Sequence, residues 1–298
     1  MTTQHQTIAF IGLGNMGGPM AANLVAAGYT VQGFDVVAAA QEAAQAAGVA
    51  VKHSVAEAAT GADIVFTMLP NGALVAKVIE EALGALTSPA LFIDSSTIAV
   101  EEAQANARTV AHHGHRYIDA PVSGGVVGAA AGTLAFMVGG AAQDVEKGAK
   151  LFEVLGRAVT HCGDVGAGAA AKLCNNMILG IQQIAIAEGM VLGERLGLTP
   201  QAFYDVVSNS TGACWALTVN CPVPGVVSGS PADNDFKPGF ATDLIVKDLG
   251  LAMQAAESTG TQVGLGEQAA RRYQALSEAG YGAKDFGVII EQVRQNHQ

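Results

Sequence analysis

The sequence has few charged residues, and acidic side chains outnumber basic ones. Only 14% of the 298 residues are Asp, Glu, Lys or Arg, and the formal net charge is −11 at pH 7. Such a chain repels the phosphates of nucleic acid, so we expect no nucleic-acid partner. Half of the residues are hydrophobic, which provides a large core and excludes a disordered protein.

Cysteine is also scarce. The chain has four cysteines, at Cys162, Cys174, Cys214 and Cys221. They form no C-x-x-C pair and no zinc-site spacing, so we interpret them as buried, reduced thiols of a cytoplasmic protein. The nearby histidines His112, His113 and His115 lack carboxylate or cysteine neighbours. We interpret them as a solvated helix end, and we predict no bound metal.

A long hydrophobic run is missing as well. The first strand begins near Thr7, which leaves no room for a targeting signal. The most apolar stretch, Met177–Leu192, is shorter than the ~20 residues that span a membrane, and it contains Gln182, Gln183 and Glu188. We therefore expect a soluble protein with no membrane partner.

A glycine-rich turn between a strand and a helix marks the first half. We predict a buried strand over Thr7–Ile11 and a helix over 19–27. The G-x-G-x-x-G sequence between them comprises Gly12, Leu13, Gly14, Asn15, Met16 and Gly17. In this pattern the first glycine allows a tight turn, the second lets the backbone approach a pyrophosphate, and the third lets helix and strand pack closely. The turn is typical of dinucleotide-binding proteins.

An acidic residue follows the next predicted strand at the distance that such a site requires. The strand Thr30–Phe34 leads into Asp35, which stands 18 residues after Gly17. An aspartate at this point accepts hydrogen bonds from the adenosine ribose hydroxyls. Val36 and Val37 follow, with no arginine to meet a 2′-phosphate. The sequence therefore predicts NAD rather than NADP as the cofactor.

The pattern of the whole chain predicts two domains. Further strands are predicted over 63–68, 90–94, 116–119, 134–138 and 158–162, with helices between them. This alternation predicts an α/β fold with a Rossmann-type, doubly wound, mostly parallel sheet, in an NAD-binding domain of residues 1–165. Residues 166–298 have almost no strand signal and are predicted to form an all-helical domain, joined by a long helix over about 166–195.

The predicted linking helix carries polar residues in apolar surroundings. Lys172, Asn175 and Asn176 stand at i, i+3 and i+4 and share one face of a helix. Burying a lysine is costly, so Lys172 has a partner, borders a cavity or takes part in chemistry.

Two other segments allow more than one interpretation. Ser123-Gly124-Gly125 is suited to cradling an anion with its amides and hydroxyl, or equally to forming a flexible turn. Trp215, the only tryptophan, lies in a loop predicted over 210–239, where packing is the commoner role for the side chain. For Lys247, the spacing favours a salt bridge with Asp243.

Several motifs, in order along nearly the whole chain, resemble those of the β-hydroxyacid dehydrogenase family. Besides the glycine-rich turn and its helix, they are Asp94-Ser-Ser-Thr97, Asp119-Ala-Pro-Val-Ser-Gly-Gly125, Gly168-x-x-x-Lys172-x-x-Asn-Asn176 and Lys247-Asp-Leu-Gly-Leu-Ala252. The segments Gly212–Trp215 and Cys221–Val226 most resemble members that act on 3-hydroxyisobutyrate. One departure is Ala213, where some members carry a polar residue, which leaves the contacts of the substrate loop open.

The resemblance implies an activity and a role for each matching residue. The expected reaction is the NAD-dependent oxidation of 3-hydroxyisobutyrate to methylmalonate semialdehyde in valine catabolism, with Lys172 as the general base. Ser123, Gly124 and Gly125 would hold the substrate carboxylate, with Asn175 or Asn176 near the substrate oxygens. Leu69, Pro70, Thr97 and Lys247 would lie along the cofactor. Trp215 and Phe240 are expected neighbours of the substrate methyl group.

Other functions compete with this expectation. A reductase of tartronate or succinate semialdehyde would share the fold, and a non-catalytic dinucleotide-binding module would keep the glycine-rich turn alone. Imine reductases of this kind lack the lysine, so Lys172 disfavours that activity. The apolar linking helix predicts packing between the two halves and against a second subunit, in a homodimer or a homotetramer.

Overall fold

The apolar runs of the first half form the strands of one sheet. The strands are β1 (Thr7–Ile11), β2 (Thr30–Phe34), β3 (Ala50–Val51), β4 (Ile64–Thr67), β5 (Leu91–Asp94), β6 (Arg116–Asp119), β7 (Val122–Ser123), β8 (Leu134–Gly139) and β9 (Gly156–Gly163). Their order is β3-β2-β1-β4-β5-β6-β8-β7, with β9 paired to β8. The strands from β1 to β6 pair in parallel, whereas β8 runs antiparallel to β6 and β7. The predicted doubly wound, mostly parallel sheet is therefore confirmed.

Helices cover both faces of this sheet. They are α1 (Gly17–Ala26), α2 (Ala38–Ala46), α3 (Val55–Ala59), α4 (Gly72–Leu83), α5 (Val100–His112), α6 (Gly125–Ala131) and α7 (Ala142–Leu155). Because successive side chains of a strand point to opposite faces, β1 contributes Phe10 to one core and Ala9 to the other. Phe10 stacks on Phe66 with ring centroids 4.8 Å apart. A strand buried on both faces is the expected form of a parallel sheet.

The second half is helical, as predicted. Its helices are α8 (Ala167–Arg195), α9 (Pro200–Val207), α10 (Trp215–Thr218), α11 (Thr242–Thr259), α12 (Gly264–Leu276) and α13 (Ile289–Gln295). Short 3₁₀ helices span Pro231–Asn234 and Phe286–Val288, and a π-helical turn spans Ser277–Tyr281. Buried residues of α8, α11 and α12 form its core, including Met190, Leu249 and Tyr273.

This computed structural model describes residues 6–295 and divides the chain into two units. The first unit is Met1–Lys172 and the second is Leu173–Gln298, so the division falls within α8. With 29 residues, α8 extends beyond the apolar run at both ends and is long and apolar enough to cross a membrane. Half of its most apolar window is buried in the structure, and one helix of this length and composition is weak evidence for a membrane span.

Two predictions were wrong, one about the burial of a histidine and one about the burial of the cysteines. His115 is not part of a solvated helix end, because it is 7% exposed and its Nδ1 accepts a hydrogen bond from the Ala90 amide. Burial lowers the pKa of His115, which favours the neutral ring that this bond requires. The cysteines are all free thiols, but Cys221 alone among them is buried, and Cys174 is exposed.

Candidate functional site

The glycine-rich turn has the shape that a dinucleotide needs. Gly12 has a φ of +96°, and a Cβ there would lie 2.2 Å from the Met68 carbonyl oxygen. A Cβ on Gly17 would lie 1.9 Å from the Gly12 oxygen, so the helix start and the turn are in direct backbone contact. A Cβ on Gly14 would meet no atom of the described chain within 4 Å. The turn is therefore closely packed at its two ends and open in the middle, where a pyrophosphate would approach.

Asp35 belongs to the same arrangement. Its Oδ2 accepts a hydrogen bond of 2.7 Å from the Leu13 amide of the turn, and its Oδ1 accepts one of 2.8 Å from Val37. A carboxylate has about four acceptor positions, so these two bonds leave capacity for ribose hydroxyls. Leu13 is buried, whereas Asn15 is exposed and Met16 is half-buried at the turn.

The loops after β4 and β5 are tied together beside this turn. The Leu69 amide donates to the Ser96 hydroxyl at 2.9 Å, and the Ser96 amide donates to Asp94 Oδ1 at 3.0 Å. The side chain of Leu69 comes within 3.0 Å of the position that a Cβ on Gly12 would take. Pro70 and Thr97 lie in the same two loops, at the carboxyl ends of parallel strands where ligands bind in such sheets.

Asp94 is the buried centre of this connection. Besides Ser96, its carboxylate accepts hydrogen bonds from the hydroxyls of Thr67, at 2.8 Å, and Tyr117, at 3.3 Å. Burial raises the pKa of Asp94 to about 6, although the hydrogen bonds from Ser96, Thr67 and Tyr117 act in the opposite direction. Burial and the nearby carboxylates Asp94 and Asp119 raise the pKa of Tyr117 well above its ordinary value, so the phenol stays protonated and donates.

Ser123, Gly124 and Gly125 join strand β7 to helix α6. Gly124 has a φ of +136° and Gly125 a φ of +61°, values that side-chain-bearing residues rarely adopt. Consecutive positive φ values turn the backbone away from the strand just after Ser123, which pairs with Ala135 of β8. Glycine is the residue best suited to the backbone conformation at both positions.

Lys172 lies one turn past the start of α8 and is 8% exposed. The start of this helix is held by Asp119, the last residue of β6. Asp119 Oδ1 accepts from the Gly166 amide at 2.7 Å, and Oδ2 accepts from the Ala169 amide at 2.8 Å. Burial raises the pKa of Asp119, and the bonds from these helix-start amides partly offset that effect.

In the second unit, a buried carboxylate connects α8 to α11. Asn176 is 1% exposed, and its Nδ2 donates to Asp248 Oδ2 at 2.5 Å while its Oδ1 accepts from Asn175. Lys247 Nζ lies 3.2 Å from Asp248 Oδ1, an ion-pair contact. Asp243, the partner predicted for Lys247 from helical spacing, accepts a hydrogen bond from Ser277.

Trp215 and Phe240 both belong to segments attached to one buried carboxylate, Asp285. Asp285 accepts from the amides of Gly239 and Phe240, at 3.1 and 3.0 Å, and from Asn220 Nδ2 at 3.1 Å. The Asn220 amide in turn donates to the Trp215 carbonyl. Trp215 is 48% exposed, whereas the Phe240 ring contacts Phe286 edge-on with ring centroids 5.6 Å apart. Burial raises the pKa of Asp285.

Four buried carboxylates have no role predicted from the sequence: Asp94, Asp119, Asp248 and Asp285. Asp94 and Asp119 end neighbouring strands in register, and an acidic residue directly after an apolar run was a usable signal for both. No comparable local pattern marks Asp248 or Asp285. Across residues 6–295, no group of three His, Cys, Asp or Glu side chains is arranged to hold a metal ion.

The sheet order, the glycine-rich turn and Asp35 define an NAD-binding oxidoreductase. Residues 7–163 match a family described as the NAD binding domain of 6-phosphogluconate dehydrogenase. Residues 166–293 match one described as the NAD-binding of NADP-dependent 3-hydroxyisobutyrate dehydrogenase.

Relatives that match over nearly their whole length indicate which kind of oxidoreductase this chain resembles. The chain is 52% identical over 288 residues to a probable 3-hydroxyisobutyrate dehydrogenase of Mycobacterium tuberculosis, covering 97% of this chain and 98% of that protein. It is 43% identical to an NAD-dependent L-serine dehydrogenase of Pseudomonas aeruginosa, covering 95% and 96%. A solved structure of M. tuberculosis 3-hydroxyisobutyrate dehydrogenase with L-serine superposes with a TM-score of 0.92 at 52% identity, covering 98% of this chain and 100% of that one. The chain belongs to the β-hydroxyacid dehydrogenase family, in its 3-hydroxyisobutyrate dehydrogenase branch.

Proposed function

We propose that this chain oxidises 3-hydroxyisobutyrate to methylmalonate semialdehyde. The observation that carries the proposal is a buried lysine, Lys172, on a helix whose start is fixed to the sheet by hydrogen bonds. The same unit holds the glycine-rich turn and the Ser123–Gly125 turn. The names of the relatives at 52% identity support the same activity.

The proposed chemistry divides the alcohol's two hydrogens between cofactor and protein. When bound, NAD supplies the acceptor for the hydride that leaves the carbinol carbon. The neutral amine of Lys172 takes the hydroxyl proton, and in the reverse direction its ammonium donates a proton to the carbonyl oxygen. Ser123 donates its hydroxyl to the substrate carboxylate, together with the amides of Gly124 and Gly125.

We assign the remaining residues as follows. The cofactor is held by Gly12–Gly17 and Asp35, with Leu69, Pro70, Thr97 and Lys247 along its length. Asn175 is the amide nearer the substrate oxygens, because the Asn176 side chain is engaged with Asp248 and with Asn175 itself. Trp215 and Phe240 contribute to the substrate loop. Residues 1–165 serve as the NAD-binding domain and 166–298 as the helical domain.

L-serine is a second candidate substrate. Both compounds are 3-hydroxypropanoates with a primary alcohol, and serine carries an ammonium group at C2 where 3-hydroxyisobutyrate carries a methyl group. A relative named NAD-dependent L-serine dehydrogenase is 43% identical to this chain, and L-serine is present with the M. tuberculosis enzyme. The proposed roles of Lys172, Ser123 and Asp35 are the same for either substrate.

We also propose a cytoplasmic homodimer or homotetramer. Helix α8 exposes Ile178 at 51% and Leu192 at 59%, and Leu196 after it is 74% exposed. Large, exposed apolar side chains along a helix favour a contact with another subunit, here through the second unit. Light scattering that finds only monomers at micromolar concentration would contradict this assembly.

The first experiment measures initial rates of NADH formation with 3-hydroxyisobutyrate, L-serine, D-glycerate and 4-hydroxybutyrate, with NAD and then with NADP. We expect the highest kcat/KM for 3-hydroxyisobutyrate with NAD. Preference for L-serine would transfer the proposal to the second candidate. Preference for D-glycerate or 4-hydroxybutyrate would favour a reductase of tartronate or succinate semialdehyde, and tight NAD binding without turnover would favour a non-catalytic module.

The role of Lys172 is tested by Lys172→Ala, with Lys77→Ala as a matched control. Loss of the proton acceptor should lower kcat by about 10²–10⁴-fold while NAD binding persists. Lys77 is a surface lysine of the same unit whose side chain is 71% exposed, and its loss should leave the rate unchanged. In the wild type, the oxidation rate should rise with pH because the neutral amine is the base. Near-wild-type turnover by Lys172→Ala would refute the assignment.

A further inference from the structure

Helix α8 begins without a capping side chain in its own sequence. The residues from Val165 to Ala171 are all Gly, Ala or Val, and the first turn has no acidic residue. A helix start leaves four amide groups without partners inside the helix. In most helices a local Ser, Thr, Asp or Asn accepts some of these bonds. The start of α8 depends on a residue from elsewhere in the chain.

Asp119 supplies the missing acceptors from the end of β6. Gly166, which precedes the first helical residue, and Ala169, the third one, are the two amides that a capping box serves. Asp119 bonds both of them, one with each carboxylate oxygen, across 47 and 50 residues of sequence. Bonds to an ionised acceptor are about twice as strong as neutral ones.

The carboxylate is enclosed by backbone that admits no side chain. A Cβ on Gly139, the β8 partner of Asp119, would lie 2.5 Å from Oδ1. A Cβ on Gly168 would lie 2.9 Å from Oδ2 and 2.3 Å from the Met137 carbonyl oxygen. Neither glycine has a positive φ, so close approach, not backbone conformation, explains both. The first turn of α8 is therefore held directly against the strand ends.

This contact joins two motifs that the sequence separates. Lys172 lies three residues beyond Ala169, and Ser123 lies four residues beyond Asp119. We propose that Asp119 is a positioning residue, which sets the place of the Lys172 amine relative to the Ser123–Gly125 turn. The inference rests on the proposed role of Lys172. Asp119 transfers no proton in this scheme, because both of its oxygens are engaged with backbone amides.

The first test is Asp119→Asn, measured with the hydroxyacid that the wild type oxidises fastest. The amide keeps one acceptor oxygen but turns an NH₂ group toward a backbone N–H, so one of the two bonds is lost. A displacement near 1 Å costs about 10²-fold in rate, so kcat should fall by about 10–10²-fold. The dissociation constant for NADH should stay within about twofold.

A matched control separates positioning from stability. Ser54 accepts a hydrogen bond from the Glu57 amide and caps helix α3 of the same unit. Ser54→Ala should lower the melting temperature and leave kcat unchanged. If Ser54→Ala lowers kcat as much as Asp119→Asn does, general destabilisation explains the effect and the proposal is wrong.

A double mutant tests whether Asp119 affects the rate through Lys172. If Asp119 acts through the lysine, Asp119→Asn should not lower the residual rate further in a Lys172→Ala background. An equal fold-loss in both backgrounds would overturn the positioning role while leaving Lys172 as the base. Near-wild-type turnover by Lys172→Ala alone would instead remove the proposed function on which the inference rests.

Gly139→Ala provides a second variant if Asp119→Asn does not fold. The added methyl group displaces the Asp119 carboxylate without removing its charge, so the loss should again appear in kcat and not in NADH affinity. Loss of NADH binding in both variants would assign Asp119 to the integrity of the nucleotide-binding unit and overturn the proposal.

Discussion

The two units hold their buried carboxylates by different means. In the first unit, Asp94 and Asp119 stand side by side at the ends of paired strands, and their partners lie in the loops and the helix start at the same edge. In the second unit, Asp248 and Asp285 bond residues of separate helices and loops, such as Asn176, 72 residues away in sequence. A parallel sheet gathers polar groups by its register, whereas a helical unit must join them pair by pair.

This difference predicts that single deletions cost most in the helical unit. Asp285→Ala removes the acceptor for three backbone amides and for Asn220, all in a buried region. Donors left without partners cost about 1–3 kcal/mol each, so for these four we expect a loss of at least about 4 kcal/mol in the free energy of unfolding. Urea titration followed by circular dichroism measures the change. Asp205→Ala, at an exposed position, serves as control and should change it by less than about 0.5 kcal/mol. Equal losses at the two positions would refute the structural importance of the buried Asp285 carboxylate.

At the sheet edge, an amide should replace a carboxylate at little cost. In Asp94→Asn, the remaining oxygen still accepts from Thr67 and Ser96, and the new NH₂ group donates to the Tyr117 hydroxyl. We therefore expect this variant to be at least as stable as the wild type at pH 7 to 8.

The stability difference between the wild type and Asp94→Asn should depend on pH. Burial raises the pKa of Asp94 to about 6 from 3.8, so the folded protein binds this proton more readily than the unfolded chain. Protonation of Asp94 therefore stabilises the folded protein. This contribution to the free energy of unfolding, about 3 kcal/mol, is fully present below pH ~4 and is lost as the pH rises through ~6. The stability of the wild type relative to Asp94→Asn should thus fall by about 1.4 kcal/mol per pH unit in that window. Urea titrations from pH 4 to 8 measure it, and a constant difference would contradict the assignment.

The smallest expected effects should be equal in the two units. Ser54 caps α3 of the first unit, and Thr199 caps α9 of the second, each through one hydroxyl that accepts a backbone amide at 3.1 Å. Ser54→Ala and Thr199→Ala should each cost about 1 kcal/mol, measured as a shift of the urea midpoint. A loss of several kcal/mol for only one of them would mean that local caps, like buried carboxylates, differ in importance between the units.

The same contrast explains which parts of the molecule the sequence predicts. Strands β1, β2 and β6 were predicted with their observed bounds, because each is a short segment with β-branched or aromatic residues that ends at a turn or a polar residue. Helix α2 was not named, since its alanine-rich sequence has helix propensity but no apolar stripe. Asp35 was predicted from its distance to the turn, and it indeed contacts Leu13.

No pattern in the sequence predicts the polar contacts of the second unit. Helical spacing predicts Asp243 as a partner of Lys247, and it gives no sign of the ion-pair contact with the adjacent Asp248. Spacing reports which residues share a helix face, and it carries no information about contacts between sequence neighbours or between helices, such as the one from Asn176 to Asp248. The Asn220–Asp285 bond joins residues 65 positions apart, so only the folded chain brings it into view.

Trp215 has a practical consequence. It is the only indole in the chain, it lies in the second unit, and it is 48% exposed at the start of α10. Fluorescence excited selectively in tryptophan therefore comes from a single side chain, and the first unit contributes no tryptophan fluorescence. The protein carries its own single-site optical label, so the surroundings of one loop can be followed during ligand titration without attaching a dye.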